Sequence, residues 1–580
     1  MNYKVEIIDK TFVDIPKYPE DSYIITPRDK TAVVIFFDNH LLEIERKEFG
    51  YVEKEEIYNL IDSKKEINLN YCYINNFSLN DFRKTTGKEM VDYVELIQFS
   101  AIGSFFDCTS EVNFSFAKFS LGDLKKFNFT RSMFGNGNII FYNAIFENGN
   151  VVFNECHFGN GDISFADVKF GKGHVNFKDV QFGNGIVEFY NTMFYDGDAD
   201  FRFATFGEGV INFCGAKFGV GNLIFERVKF GNGNVYFNSS VFNKGHINFY
   251  GSEFCNGIIN FPNVSILDGD ITFSGTKFRN TEIDFSYFES AKLIEFENVL
   301  FNKSNISFYN ANITTLIFKD CQFFLYVDLR VAECKYIELT NAIVRDIIDF
   351  NPDGFVNVNI KKLNIIGLQN LGRLNLGWLK NNVKEIISNQ YKMKKALKDS
   401  KYIYIQEETT HGEKAEQFRT LKENFHKIGQ YDDEDKAYVE FRKHEMRAVL
   451  EERTKGKFLN KFWAYPLYWI SWFVKDWLGS FGTNPWRVLA NMGIIYILFS
   501  FIYFYLPKIC NTGISPSNNN VDVLSNLYKS FYHSAITFLT IGYGDYYPSG
   551  IIRLLSGIEG FIGLFLMAYF VVAFSRKVLR

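Results

Sequence analysis

The stretch FGNGNIIFYNAIFENGNVVFNECHFGNGDISFADVKF, Phe134 to Phe170, spells one motif three times over. A phenylalanine opens each unit (Phe134, Phe146, Phe158) and a second follows seven residues later (Phe141, Phe153, Phe165), giving a twelve-residue unit of form F-G-x-G-x-[IV]-x-F-x-x-[AV]-x. The opening series runs on to Phe254, with Ile266 and Phe278 in the next two slots, and the second series to Phe285. Apolar residues at i and i−2 mark a short strand with one buried face. The Gly and Asn between strands are read as supplying the positive φ of a tight corner. Strand and corner at a fixed period specify a β-solenoid, in which each rung covers the apolar face of the last. A coil of twelve would hold its rings in a slot too thin for Phe from both sides. A coil of 24 with four faces carries four rings and four smaller side chains, and fills a square core.

Outward from this block the pattern continues more raggedly to NIKKLNIIGLQNLGRLNL and begins near INLNYCYINNFSL. The repeat resembles the pentapeptide-repeat family, whose unit has a large apolar residue at its centre and a small one two positions earlier. Here alternate units are stretched by the Gly-Asn corner. The resemblance implies a right-handed quadrilateral β-solenoid, assigned to residues 61–385. Residues 1–60 lack the period, hold a β-like run from Thr31 to Phe37, and are assigned as an N-terminal cap on the open end of the stack.

The whole chain has 580 residues, too many for one globular unit. Aromatic residues make up 18%, with 65 Phe, and hydrophobic residues 47%, which excludes a mostly disordered chain. A net charge of −4 gives no nucleic-acid footprint, and no nucleic-acid partner is expected. The eight cysteines stand singly, without a C-x-x-C pair, which favours a reducing compartment. The N-terminal MNYKVEIIDK is charged, and no cleavable signal peptide is expected. No nucleophile–base set or metal-ligand cluster is visible, so neither an enzyme nor a cofactor is expected.

Past residue 385 the period becomes helical. Residues 386–455 are assigned as a helical hairpin linker, with Ala415, Phe418, Leu421, Phe425 and Ile428 on one face and a break at GQYDD. Gly429 is the expected C-cap there, and Asp432 or Asp433 the N-cap. Residues 456–483 contain FWAYPLYWISWFV (Phe462 to Val474), thirteen residues and too short to span a bilayer. Its three Trp suit an interfacial amphipathic helix, against the alternative of a buried connector.

Residues 484–580 hold two spans. Val488 to Leu506 has no charge and lies between Pro485 and Pro507; Ile551 to Phe574 contains only Arg553 and Glu559. Between them Thr540-Ile541-Gly542-Tyr543-Gly544-Asp545 resembles the T-V-G-Y-G-D selectivity filter of two-transmembrane-helix potassium channels, with Ile for Val. Leu539 departs from the usual Thr. The resemblance implies that the carbonyls of Thr540, Ile541, Gly542 and Tyr543, with the Thr540 hydroxyl, bind permeant potassium in place of its water. Gly542 and Gly544 allow the alternating backbone this needs, and Asp545 stands at the filter mouth. Residues from about Asn526 to Phe538 are the expected pore helix. Gly563 is placed at a gating hinge and Met567, Val571 and Phe574 at a constriction. Glu559 is placed behind the filter, bonded near His533, in a functional or a purely structural role. One chain supplies one filter loop and a ring needs four, so a homotetramer in a lipid bilayer is expected.

Arg576, Lys577 and Arg580, with Lys455, Lys457, Lys461 and Lys475, outweigh Lys508 and Lys529 of the intervening loop. Both termini, and so the solenoid, are expected in the cytoplasm of a multi-pass cell-membrane protein. Without a third span or an arginine ladder, regulation falls to the N-terminal part, where an unknown ligand or protein would act on the solenoid and reach the first span through the aromatic helix. The rival expectation is a membrane-anchored, non-conducting interaction scaffold.

Overall fold

In the computed structural model the described residues are 2–13, 26–38, 40–122, 126–388, 391–398, 401–455, 458–517 and 524–579. Lys457 and Arg580, two of the charges used to orient the chain, lie outside them. The chain divides into two compact units, Met1–Glu408 and Thr409–Arg580.

The first unit opens with an antiparallel meander, β1 (Asn2–Ile8), β2 (Thr31–Phe37) and β3 (Glu43–Val52). β3 then pairs in parallel with the first solenoid strand, Gly50 against Cys72. Ala32, Val34, Phe36 and Phe49 of the meander bury against Tyr73 and Phe105 of the first coils. The open edge of the stack is thereby covered. Two short helices, α1 (Lys54–Asp62) and α2 (Leu79–Thr86), lie beside these coils.

The solenoid makes about 13 turns. Ile139 pairs with Ile163, Ile163 with Val187 and Val187 with Ile211, so the regular coil is 24 residues long, and later coils are shorter, as where Ile306 pairs with Val327. Separate parallel ladders through Ile145, Val151 and His157 make up the other three faces. From Phe134 to Phe249 each coil places four phenylalanines inside, and rings stack on their equivalents in the next coil. Phe165 lies 5.0 Å from Phe141 and 5.1 Å from Phe189, with interplanar angles of 7° and 4°. Neighbouring columns meet edge to face, as in Phe165–Phe177 at 75°. Each ring buried this fully contributes about 1.5–3 kcal/mol of transfer free energy, with an edge-to-face and stacking increment of about 0.5–1.5 kcal/mol.

The corners differ from expectation. Positive φ falls on the short corners that follow the second Phe, at Asn143 (56°), Glu155 (57°), Asp167 (57°) and Asn191 (52°). The glycines of the G-x-G corners, Gly159, Gly161, Gly183 and Gly185 among them, are required by close approach instead. A Cβ on Gly183 would overlap the Gly159 carbonyl one coil earlier, and one on Gly185 the Gly161 carbonyl. The intervening Asn serves the stack: Asn160 Oδ1 accepts from the Asn184 backbone N–H at 3.3 Å, and Asn184 Oδ1 from that of Glu208 at 3.2 Å.

The stack ends with α3 (Val383–Ser388), which buries Val383, Ile386 and Ile387. Residues 391–398 and 401–408 then depart from the helical assignment, because Tyr391–Lys398 and Lys401–Glu408 form an antiparallel hairpin. Aromatic and β-branched residues alternate through Tyr402-Ile403-Tyr404-Ile405, a strand signal. Tyr391 stacks on Tyr336 at 5.2 Å, and Lys395 Nζ stands 3.0 Å from both Glu295 and Glu297.

The second unit begins with α4 (His411–Lys427), started by a Thr410–Glu413 capping box, and α5 (Tyr431–Thr454). Gly429, at φ 74°, turns the chain between them. The N-cap of α5 is Gln430, not Asp432 or Asp433, which sit in its first turn. α6 (Phe458–Trp472) passes into a π-turn, Phe473–Trp477, and a 3₁₀ turn, Ser480–Gly482. α7 (Pro485–Ile509), α8 (Asn526–Phe538) and α9 (Ile552–Val578) follow. Pro507 lies inside the last turn of α7 and does not end it. α7 and α9 are long and apolar enough to cross a bilayer, with mean hydropathies of 1.8 and 2.0 over an 18-residue stretch of each.

Candidate pore and its supports

α8 packs between α7 and α9 and delivers residues 539–545 beyond its C-terminus. Backbone hand alternates along this segment: φ is 55° at Thr540, 59° at Gly542 and 77° at Gly544, whereas Ile541 and Tyr543 keep negative φ. Alternating hand turns successive peptide planes over, so consecutive carbonyls can address one line. A non-glycine residue at positive φ is uncommon, and Thr540 is β-branched, so its conformation is a functional signal in itself. The segment is anchored at its base by the Ile541 N–H, which donates to the Ile536 carbonyl at 2.9 Å. Among the described residues, the carbonyls of Thr540 to Tyr543 accept no hydrogen bond. Ile541 and Tyr543 are 48% and 70% exposed in the single chain, so this face is left for other copies or solvent.

Several polar contacts hold the segment. Tyr532 Oη of α8 donates to Asp545 Oδ2 at 2.6 Å, and the Asp545 carbonyl accepts from the Ser517 N–H at 2.8 Å. A short strand pair, Gly513–Pro516 with Tyr546–Ser549, closes the far side. Glu559 of α9 is fully buried. Its carboxylate accepts from Tyr503 Oη of α7 at 2.7 Å and from Ser534 Oγ of α8. The expected bond to the pore helix near His533 is thus made at the neighbouring Ser534, while the His533 ring pairs through Nε2 with Ser556 Oγ at 2.9 Å. α8 is therefore pinned to both spans by one carboxylate.

Gly563 lies where α9 crosses the end of α8, against the Phe538 backbone, and α9 runs through it unbroken. Val571 and Phe574 are exposed and Met567 partly so. Sequence reasoning missed Tyr532, Ser534 and Tyr503. The available signal was polar residues in otherwise apolar helices. Among the described residues no three His, Cys, Asp or Glu side chains gather as a metal-ligand set.

Residues 492–580, which contain most of α7 with all of α8, the 539–545 segment and α9, match the family model described as ion channel. The C-terminal part of this chain is an ion-channel domain. No curated protein and no solved structure gives a significant match. Membrane association and oligomerisation go with an ion-channel domain, and its two apolar helices make this a membrane protein.

Proposed function

We propose that the chain forms a homotetrameric, potassium-selective channel in which four copies of residues 540–544 surround one axis. The alternating φ at Thr540, Gly542 and Gly544 carries this proposal. Four such segments would offer rings of carbonyls from Thr540, Ile541, Gly542 and Tyr543, with the Thr540 hydroxyl at the inner end, in place of the hydration shell of potassium. The α8 C-terminus adds its partial negative charge toward the same axis. Asp545, held by Tyr532, fixes the filter mouth.

α6 exposes Phe462, Trp463, Tyr465, Trp469 and Ile470, a surface suited to the headgroup layer of the bilayer. With both termini in the cytoplasm, the solenoid is a cytoplasmic regulatory module whose ligand or protein partner acts on the pore. Gly563 serves as the hinge of α9 and Met567, Val571 and Phe574 as its constriction. Rubidium flux into liposomes bearing the purified protein tests the proposal. Barium-blocked flux that disappears in Gly542→Asp is expected; flux absent under every condition would favour the non-conducting scaffold.

A further inference from the structure

The α4–α5 hairpin meets the last turn of α9 through opposite charges. α5 opens with Asp432, Asp433 and Glu434 in its first turn, and α9 closes with Arg576 and Lys577 in its last. Each set suits its own helix, since carboxylates favour the positive N-terminal end of a helix dipole and cations the negative C-terminal end. Arg576 Nη2 lies 2.9 Å from Asp435 Oδ1. Lys577 Nζ lies 2.6 Å from Asp432 Oδ1 and 3.6 Å from Asp435 Oδ2. The Arg576 guanidinium also stands over the Tyr438 ring, 4.4 Å from its centroid. Asp432 is 80% exposed, and such a pair contributes little. The Asp435 side chain is 10% exposed and meets both cations, so the contact of Asp435, Arg576 and Tyr438 dominates the attachment.

Resting on the channel reading above, we propose that Asp435 and Tyr438 are positioning residues for the pore, fixing the end of α9 and making the hairpin's placement part of the open–closed equilibrium. α9 is one helix from Ile552 to Val578. A displacement of its last turn is therefore carried rigidly to Val571 and Phe574, within one or two turns of Arg576. This route acts on the second span directly and does not pass through α6 and the first span. In a tetramer four such attachments bear on one gate, and any state in which α9's end moves must give up contacts that the other state keeps.

Single-channel recording of the reconstituted full-length protein tests the proposal with Asp435→Arg, Arg576→Asp and the doubly swapped protein. Lys577→Gln and Tyr438→Leu serve as milder variants should a charge reversal prevent assembly. Each single reversal is expected to shift the open-to-closed ratio about tenfold, both in the same direction, at unchanged unitary current and unchanged potassium-over-sodium preference. The double swap is expected to return part of that shift, since Lys577 then faces a cation, and the shift at unchanged unitary current is the readout that a merely structural contact would not move. An unchanged ratio in the single variants at normal unitary current, or a double swap no closer to wild type than its parents, would overturn the proposal and leave the channel reading standing. Wild-type protein that passes no unitary current would overturn that reading first, and this inference with it.

Discussion

Gly563 of α9 sits so close to the Phe538 carbonyl at the end of α8 that a Cβ there would overlap it. The glycine lets the end of α8, just before the 539–545 segment, lie directly on the second span. Gly563→Ala is therefore expected to force α9 outward and to destabilise the domain by about 1–3 kcal/mol, lowering the melting temperature of the purified protein. Gly493→Ala, where no atom beyond the neighbouring turns of its own helix lies within 4 Å of the added Cβ, gains helix propensity of up to about 1 kcal/mol and is expected to melt no lower than wild type.

Glu559 gives a second test through its two donors, Tyr503 and Ser534. Glu559→Ala strands both hydroxyls in an apolar setting, at about 1–3 kcal/mol each. Glu559→Gln keeps one carbonyl acceptor of nearly the same reach and turns its amide N–H2 toward the other hydroxyl, which can accept in its turn. Thermal melts should rank wild type and Gln close together and Ala well below both. A Gln variant as damaged as Ala would show that the charge, and not the hydrogen-bond geometry, holds α8 in place.

The hairpin α4–α5 contains a pH-sensitive pair. His444, 6% exposed, shares a 2.9 Å Nδ1···Nδ1 contact with His411. Burial, and then the charge of His411, push the His444 imidazole down from 6.5 to about 4, with Glu440 opposing and Lys414 and Arg447 adding to the effect. The folded form thus binds its proton more weakly than the unfolded form, so the stabilisation is complete above about 6.5 and is lost as pH falls from there toward about 4. Up to about 3 kcal/mol is at stake. Melting temperature followed against pH should fall through this window in wild type and flatten in His444→Phe. Parallel curves for the two proteins would contradict the assignment.

The solenoid was legible because its information is a side-chain period: Phe every twelve residues, alternating with Phe seven residues on, forces four inward rings per closed coil. The role of its glycines was not. Gly183 lies in a sequence that suits positive φ equally well, and only its contact with Gly159, 24 residues away, separates close approach from backbone hand. The hairpin of residues 391–408 was hidden by its lysines, which interrupt the apolar alternation that its tyrosines and isoleucines carry. In the ion-channel domain the two spans were legible as apolar runs, whereas the supports of the 539–545 segment pair at separations of 13 (Tyr532–Asp545), 25 (Ser534–Glu559) and 56 residues (Tyr503–Glu559), which no local spacing encodes.

That distinction between glycines is itself testable. Gly183→Ala is expected to lower the urea midpoint of the solenoid, followed by far-UV circular dichroism, by the equivalent of about 1–3 kcal/mol of overpacking. Glu155→Gly, at a corner with φ 57°, relieves left-handed strain of about 1 kcal/mol and should leave the midpoint unchanged or raise it. The reverse ranking would restore positive φ to the G-x-G corners.

On the proposed reading, four Thr540–Gly544 segments form carbonyl rings that reject sodium. The most direct measurement is the reversal potential of the reconstituted channel under a tenfold potassium gradient with sodium balancing the dilute side. The account predicts reversal within a few millivolts of the potassium equilibrium potential, about 59 mV from zero, and reversal near zero in any Tyr543 or Gly542 variant that still conducts. A wild-type reversal near zero, signifying that sodium passes as readily as potassium, would contradict it.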